Sequence, residues 1–418
     1  MQGVFLMVAA LGACYFAFAR RRFDFLTLGY LSALVYFLPG FAGYCRMPET
    51  IFSEFREPVE LVDQVYAVFI LVLGILTLTA MVTDRLPQRR LRWRALPAPQ
   101  LALTILLGLA LLGFAGTLLS AGRLLLSDEK NLIVAEVGRW RVLWVNCAAL
   151  GALLAFALRR WWALAATMLL LLADLYVGFR NNLALTTISL FVLWLNGQGR
   201  QRLALSNLRA ALAGLVTAVV FFAYKFLYVP IKQGNWGELS FRLTDWDYLS
   251  RGLSYSEPFV TQTILNEVML RRFRIGLEGF GELFYNLVPF APAFGLKATL
   301  ISTRFREELF PGTPGGLGSN IWAEMWSRGG WPLLIFFALA FAFSLYLASE
   351  ALEHRDPLWL SLVALNGSYW AFYLHRNTLG YQTTLHKRLI ALWLIAAAAG
   401  VLMVTLRRTA PEEADGGA

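Results

Sequence analysis

Residues 331 to 349, WPLLIFFALAFAFSLYLAS, form a continuous apolar run directly after the glycine-rich stretch PGTPGGLGSNIWAEMWSRGG of residues 311 to 330. A helix of about 20 apolar residues is long enough to cross the hydrocarbon core of a bilayer. Comparable runs recur along the chain, near residues 2–19, 24–44, 61–82, 101–120, 141–158, 161–179, 183–197, 210–229, 358–375 and 389–406. The pattern therefore predicts about eleven membrane-spanning helices.

The composition indicates the same class. The 418 residues are 58% hydrophobic and 15% charged, which is too apolar for a soluble domain of this length. The apolar runs are also longer than the alternating segments of about ten residues that build an outer-membrane β-barrel. Since backbone N–H and C=O groups must be paired within lipid, helices are the structure that these runs favour. We predict an all-α polytopic integral membrane protein.

Basic residues predict the orientation of the spans. They cluster in alternate connections, at residues 20–22, 85–94, 159–160, 200–209 and 407–408, and such clusters mark the cytoplasmic side. The net charge of +10 is explained by these clusters and by contact with anionic lipid, and no nucleic-acid-binding motif accompanies it. We therefore predict that the protein has the lipid bilayer as a partner and that it does not bind nucleic acid.

Membrane sidedness divides the chain into four predicted regions. They are an N-terminal bundle of spans at 1–229, a large periplasmic loop with amphipathic helices at 230–330, C-terminal spans at 331–406 and a cytoplasmic tail at 407–418. Within the loop, PFVTQTILNEVMLRRFRIGLEGFGELF of residues 258–284 has apolar residues at helical spacing beside several arginines. This pattern predicts a helix that lies at the membrane interface.

The stretch of residues 311–330 contains the first candidate site. Gly316 and Gly318 precede Ser319 and Asn320, and the order predicts a turn that leads into a helix. Free amides at such a helix start favour phosphate or carboxylate oxygens, and either Ser319 or Asn320 can cap it. The alternative is an ordinary loop-to-helix turn.

Glu324 is the candidate general base in this stretch. It follows Asn320 by four residues, which is not the spacing of a capping box. An acid beside Trp322 and Trp326 at the membrane boundary is suited to accepting a proton. The structural alternative is an i,i+4 pair with Arg328, which contributes about 0.3–0.5 kcal/mol when it is exposed.

Cations on the predicted outer face form the second candidate set. Arg180 lies in a very short turn between two spans, on the side where arginine is disfavoured. His375 and Arg376 follow another span, and Arg304 lies just before the glycine-rich stretch. A guanidinium group binds a diphosphate through its fork of donors. The alternative is that these side chains only reach the membrane surface.

Metal and cofactor chemistry have no motif in this chain. His375 and His386 are too far apart to read as a metal-ligand pair, and the three cysteines, Cys14, Cys45 and Cys147, show neither CxxC nor metal spacing. The sequence predicts no metal and no cofactor.

Three features together resemble the Wzy-type O-antigen polymerases, the oligosaccharide repeat unit polymerases of bacteria. They are Arg180 in FRNN, the segment GGLGSNIWAEMWSRGG with an Ile-x-Ala-Glu helix and a glycine pair, and Arg376 in FYLHRN. The resemblance implies a GT-C-like fold and metal-independent, inverting glycosyl transfer between undecaprenyl-diphosphate-linked oligosaccharides in the bacterial inner membrane. It also implies a flippase and a chain-length regulator as partners.

The resemblance also implies roles for the candidate residues. Arg180, Arg304 and Arg376 would contact the diphosphate, Glu324 would act as the base and His375 would be the alternative base. The remaining implied substrate contacts are Gly316, Gly318, Ser319, Asn320 and Arg328.

Two other functions stay open at the level of sequence. An O-antigen ligase shares the architecture and the donor, but ligases resemble one another through a histidine in the large outer loop, and residues 230–328 contain none. A transporter of lipid-linked oligosaccharide predicts charges inside several spans and repeat-related halves. Here Asp174 and Lys225 are nearly the only clear charges within spans.

Overall fold

The computed structural model describes residues 1–20, 22–46, 58–86, 95–126, 130–197, 224, 227–248, 252, 256–276, 288, 301–311, 318–354 and 356–409. The described helices, in chain order, are α1 Gln2–Cys14, α2 Phe25–Tyr36, α3 Leu38–Ala42, α4 Asp63–Thr83, α5 Pro99–Ala121, α6 Lys130–Ala157, α7 Trp161–Val177, α8 Asn181–Gly197, α9 Trp236–Thr244, α10 Glu257–Leu270, α11 Ile301–Arg304, α12 Ile321–Ala351, α13 Pro357–Ser368 and α14 Leu379–Thr409. A two-residue antiparallel ribbon pairs β1 Tyr44–Cys45 with β2 Val59–Glu60.

Six of the described helical segments are long and apolar enough to cross a membrane. They are Gln2–Ala19, Asp63–Thr83, Pro99–Ala121, Glu136–Ala157, Ile321–Ala351 and Leu379–Leu406. The α-helical, membrane-embedded class predicted from composition is confirmed. The predicted number of about eleven spans stays a prediction, and most of one of these spans, at residues 210–229, lies outside the described residues.

The described chain forms two compact units. Unit 1 contains residues 1–89, 192–350 and 367–386, and unit 2 contains residues 90–191, 351–366 and 387–418. The predicted division at residues 229, 330 and 406 concerns membrane sidedness and stays a prediction.

Aromatic packing holds the first helices of unit 1 together. The ring of Phe5 on α1 lies 4.9 Å from that of Phe41 on α3 and 5.6 Å from that of Phe69 on α4. Asp24 caps α2, since its Oδ1 accepts a hydrogen bond of 3.1 Å from the Thr27 amide. Such a cap satisfies an amide that the helix itself leaves without a partner.

Helix α12 joins the glycine-rich stretch to the apolar run through a break. Gly330 has φ 63° and ψ −152°, a conformation open to glycine, and Pro332 follows within the helix. The proline ring has no N–H and crowds the carbonyl four residues earlier, which ends the regular hydrogen bonding. The first segment of α12 contains Glu324 and Arg328, and the second has the length of a span.

Helix α10 differs from the interfacial helix that the sequence predicts. Most of its apolar side chains are buried, and so are polar ones on its other side, including Gln262 and Asn266. Gln262 Nε2 donates 3.0 Å to the Tyr36 carbonyl, and Asn266 Nδ2 donates 3.1 Å to the Glu60 carbonyl. Because its polar groups find backbone partners, the helix is enclosed in unit 1 and does not keep one face in water.

Helix α9 has the exposed apolar side chains that suit the predicted amphipathic helices of the large loop. None of its residues is buried, and Trp236, Phe241 and Leu243 are exposed. Its Glu238 and Arg242 form an ion pair with each other.

Close helix packing defines unit 2. A Cβ atom at Gly113 of α5 would lie 2.6 Å from the Trp144 amide nitrogen of α6, so only glycine permits this approach. Helix α7 follows and ends at Gly178, whose positive φ of 109° turns the chain toward α8.

Candidate functional site

Three segments of unit 1 bring polar side chains together at the start of α12. The Trp322 indole donates 3.1 Å to His375 Nδ1, and the Ser319 amide donates 3.1 Å to the Arg376 carbonyl. The first residue of α14 donates its amide to Glu324. We use the name polar cluster for Asn320, Glu324, Arg328, His375 and Arg376. The structure thus collects five of the predicted site residues in one unit.

Asn320 is the N-cap of α12. Its Oδ1 accepts hydrogen bonds from the amides of Trp322, at 2.9 Å, and Ala323, at 3.2 Å. Its Nδ2 donates 3.0 Å to the Thr261 carbonyl and 3.2 Å to Gln262 Oε1, so it also ties α12 to α10. Of the two capping residues that the sequence offers, Asn320 fills the position. Ligand contact by this amide stays a prediction.

The other candidate residues of this stretch lie just before Asn320 in the sequence. Ser319 is buried, and its hydroxyl has no hydrogen-bond partner among the described residues. A Cβ at Gly318 would lie 3.8 Å from Thr261 and 3.9 Å from the Arg376 carbonyl, which is ordinary contact. Gly316 lies outside the described residues.

Glu324 is fully buried, and both of its carboxylate oxygens accept hydrogen bonds. Oε1 lies 3.1 Å from Nε and 3.1 Å from Nη2 of Arg328. Oε2 accepts 2.8 Å from the amide of Leu379. The i,i+4 pair that the sequence offers as the structural alternative therefore forms, but in a buried setting. The negative charge also lies at the N-terminus of α14, where the helix dipole favours it.

His375 accepts a hydrogen bond from Trp322, and this bond fixes its tautomer. The indole N–H can only donate, so His375 Nδ1 accepts and is unprotonated, which assigns the remaining ring proton to Nε2. Nε2 is buried and has no hydrogen-bond partner among the described residues. The ring stacks on Tyr36, with centroids 5.6 Å apart. The only ring lone pair is thus engaged by Trp322.

Arg376 pairs with an acid that the sequence analysis did not single out. Its Nη1 donates to Oε2 of Glu257, in the first turn of α10, and its guanidinium lies 5.0 Å from the Tyr373 ring centroid. Partial burial disfavours the charged form, but the Glu257 carboxylate outweighs it and raises the pKa of Arg376. In the sequence Glu257 looks like an ordinary first-turn acid beside Pro258, so no motif pointed to it.

Arg180 belongs to unit 2 and lies between α7 and α8, as predicted. Its carbonyl accepts 3.0 Å from the Ala184 amide at the start of α8. The turn is held by Asp174, which accepts from Arg141 Nε at 2.8 Å and from Asn182 Nδ2 at 3.0 Å. The sequence analysis named Asp174 but missed Arg141. The signal that could have found Arg141 is its charge at the edge of the predicted span 141–158.

Arg304 is not joined to the polar cluster by any contact among the described residues. It ends the short helix α11, and its side chain is exposed. The neighbouring ion pair is made by Arg306 and Glu307, at 3.4 Å. The predicted role of Arg304 at a diphosphate stays a prediction.

Gln382 is a further member of this region that sequence reasoning missed. It is fully buried on α14, and both polar atoms of its amide lack hydrogen-bond partners among the described residues. Its position one turn after Leu379 places it on the helix that Glu324 caps. A glutamine in an amphipathic segment carries no distinctive sequence signal.

The described residues contain no group of three or more His, Cys, Asp or Glu placed to hold a metal ion.

Comparison with known proteins identifies no family. The chain matches no protein-family model, no characterised protein and no solved structure. The resemblance to O-antigen polymerases therefore rests on its sequence motifs.

Proposed function

We propose that the protein is an O-antigen polymerase of the Wzy type. It joins undecaprenyl-diphosphate-linked oligosaccharide repeat units into surface polysaccharide by inverting, metal-independent glycosyl transfer. The reaction takes place at the periplasmic face of the bacterial inner membrane, in a GT-C-like arrangement of about eleven spans.

The polar cluster is the observation that carries the proposal. An acid, two arginines and a histidine are gathered within a membrane-embedded unit, although ionisable groups in such helices are costly and mark functional sites. Two of the three motifs of the resemblance, the Glu324 segment and the Arg376 segment, meet there. Cations for a leaving diphosphate and an acid for proton transfer are what this chemistry requires.

The chemistry assigns different roles to the two candidate bases. An acceptor hydroxyl oxygen attacks the anomeric carbon of the donor, the bond from that carbon to the diphosphate oxygen breaks, and the diphosphate leaves with the bonding electrons. The hydroxyl proton passes to the base. Because His375 carries its proton on Nε2 and uses Nδ1 for Trp322, it suits donation to a substrate oxygen. Glu324 is the better base, since each carboxylate oxygen has a second lone pair.

The experiment is deletion of the gene in its host, followed by separation of the surface polysaccharide by size. We expect the long chains to disappear while a single-unit band remains, and the wild-type gene to restore them. Glu324→Gln should not restore them. Glu238→Gln is the matched control, because Glu238 forms a half-buried i,i+4 pair with Arg242 on α9, away from the polar cluster.

Other outcomes would contradict the proposal. Loss of every band with accumulation of lipid-linked polymer indicates a ligase, and trapped cytoplasmic repeat units indicate a transporter. Normal chain length with Glu324→Ala, at a protein level equal to wild type, would remove Glu324 as the base.

A further inference from the structure

A cavity lies at the break in α12. Its volume is about 540 Å³, and it is lined by Arg274, Arg328 and the backbone turn of residues 327–332. This volume falls within the range of about 300–1,000 Å³ that is typical of small-molecule sites. Among the described lining residues two carry a positive charge and none carries a negative one.

Arg274 is held in place without a carboxylate among the described residues. Its Nη1 donates to the carbonyl of Trp326, and its guanidinium carbon lies 4.2 Å from the centroid of the Trp326 ring. The chain beside it is also fixed, because the Ile275 amide donates 2.8 Å to the Ser327 carbonyl. A carbonyl and an aromatic face orient a guanidinium but leave its full charge available to an anion.

Gly330 makes room for this arginine. A Cβ atom at this position would lie 3.1 Å from Nη1 and 3.3 Å from Nη2 of Arg274. The backbone conformation of Gly330 is also one that residues with side chains avoid. The glycine at the helix break and the arginine of the preceding segment therefore form one arrangement.

Arg328 connects the cavity to the polar cluster. It lines the cavity, and its Nε and Nη2 also lie 3.1 Å from Glu324 Oε1. An anion in the cavity competes with Glu324 for this guanidinium. Weaker pairing with Arg328 makes the carboxylate a stronger proton acceptor, because a nearby cation is what favours its charged form.

We infer that this cavity binds the diphosphate of a lipid-linked oligosaccharide, with Arg274 as the principal cation and Arg328 as the link to Glu324. The inference rests on the proposed function and names a diphosphate contact that the sequence motifs do not include. The chemistry that the cavity recognises is a phosphate or diphosphate anion. Its source is either the lipid headgroup or free pyrophosphate.

The test measures binding by the purified full-length protein in nanodiscs. The probes are undecaprenyl diphosphate, inorganic pyrophosphate and uncharged undecaprenol. We expect undecaprenyl diphosphate to bind about tenfold or more weakly to Arg274→Ala than to wild type, as loss of a charge-assisted hydrogen bond predicts. Arg274→Lys should fall between them, since lysine keeps the charge but not the planar fork. Arg271→Ala is the matched control, because Arg271 pairs with Glu267 on α10.

Each outcome decides the inference. If Arg274→Ala loses affinity for undecaprenyl diphosphate but not for pyrophosphate, the lipid source is supported. If the wild type binds both diphosphates with equal affinity and Arg274→Ala loses affinity for both, the site recognises the free anion and the lipid source is overturned. Equal binding of both diphosphates by wild type and Arg274→Ala, or equal binding of undecaprenol, overturns the site.

The two proposals fail separately. Arg274-dependent binding in a protein whose deletion leaves chain length unchanged would keep this site and remove the polymerase. Loss of long chains on deletion without Arg274-dependent binding would keep the polymerase and remove this site. Size-exclusion chromatography and thermal unfolding of each variant show that it is folded.

Discussion

Glu324 Oε2 and the Leu379 amide nitrogen are 2.8 Å apart, so an acid at the start of α12 caps α14. The same carboxylate neutralises Arg328 through its other oxygen. The residue proposed as the base is therefore also a structural contact between two segments of unit 1, the start of α12 and the start of α14. Experiments on Glu324 must separate these roles, and the choice of substitution does so.

We predict that Glu324→Ala destabilises the protein more than Glu324→Gln does. Both leave the buried Arg328 charge without its carboxylate, which costs about 3–5 kcal/mol. Alanine also removes the acceptor for the Leu379 amide, which adds about 1–3 kcal/mol. Thermal unfolding in a fixed detergent measures the difference.

The double variant Glu324→Gln/Arg328→Met provides the control. Removing the isolated charge should raise its midpoint above that of Glu324→Gln, while polymerisation stays absent in both. Unfolding of Glu324→Gln at the wild-type temperature would contradict a buried, charged pair.

We predict that His375 carries its proton on Nε2. The Trp322 indole donates to Nδ1 at 3.1 Å, and this bond selects the tautomer. The chain has three histidines, so nitrogen NMR of histidine-labelled protein resolves them, with His375→Gln as the assignment variant. In Trp322→Phe the preference should be lost, because phenylalanine has no donor. A wild-type signal from Nδ1–H would instead restore His375 as a candidate base.

We predict that Gly330→Ala lowers stability by about 1–3 kcal/mol, the cost of a backbone conformation that alanine avoids. It should also weaken diphosphate binding, because the new methyl group would lie 3.1 Å from Nη1 of Arg274 and push the guanidinium out of its present position by a few tenths of an ångström. Gly74→Ala is the matched control, since a Cβ at this position of α4 meets nothing within 4 Å. Helix propensity alone makes that change neutral or stabilising by up to about 1 kcal/mol. Equal midpoints for Gly330→Ala and wild type would argue against the break.

We predict that Cys45 resists thiol reagents in the folded protein. Burial raises the pKa of its thiol to about 11, and the thiolate is the reactive form. A higher pKa leaves less thiolate at pH 8, so a maleimide should react slowly until the protein is denatured. Labelling is followed by mass in a Cys14→Ser/Cys147→Ser background. Fast reaction of the native protein would show that β1 is open to solvent.

Parts of the candidate site could be predicted from local spacing. The pair of Glu324 and Arg328 follows from their i,i+4 positions, and Asn320 is a typical cap. The burial of the pair was not predictable, because the amide that completes it belongs to Leu379, which is 55 residues away in sequence. Glu257 and Arg376, 119 residues apart, carry no local signal of their pairing.

The predicted interfacial helix shows the same limit. Apolar spacing correctly indicated a helix at Glu257–Leu270, and the arginines after it suggested a membrane surface. The structure encloses this helix because Gln262 and Asn266 meet carbonyls that lie more than 200 residues earlier, at separations of 226 and 206. Periodicity identifies a helix, but it cannot identify the partners of its polar face.

The sequence by itself determined the α-helical, membrane-embedded class, because the length and apolarity of a span are properties of consecutive residues. The apolar run at residues 331–349 was read as a span separate from the glycine-rich stretch, and the structure joins the two in α12 across a break at Gly330. Only the tertiary structure decided which polar groups share a site. Arg274 lies beside Gly330, and His375 beside Trp322, because packing joins segments that the chain separates.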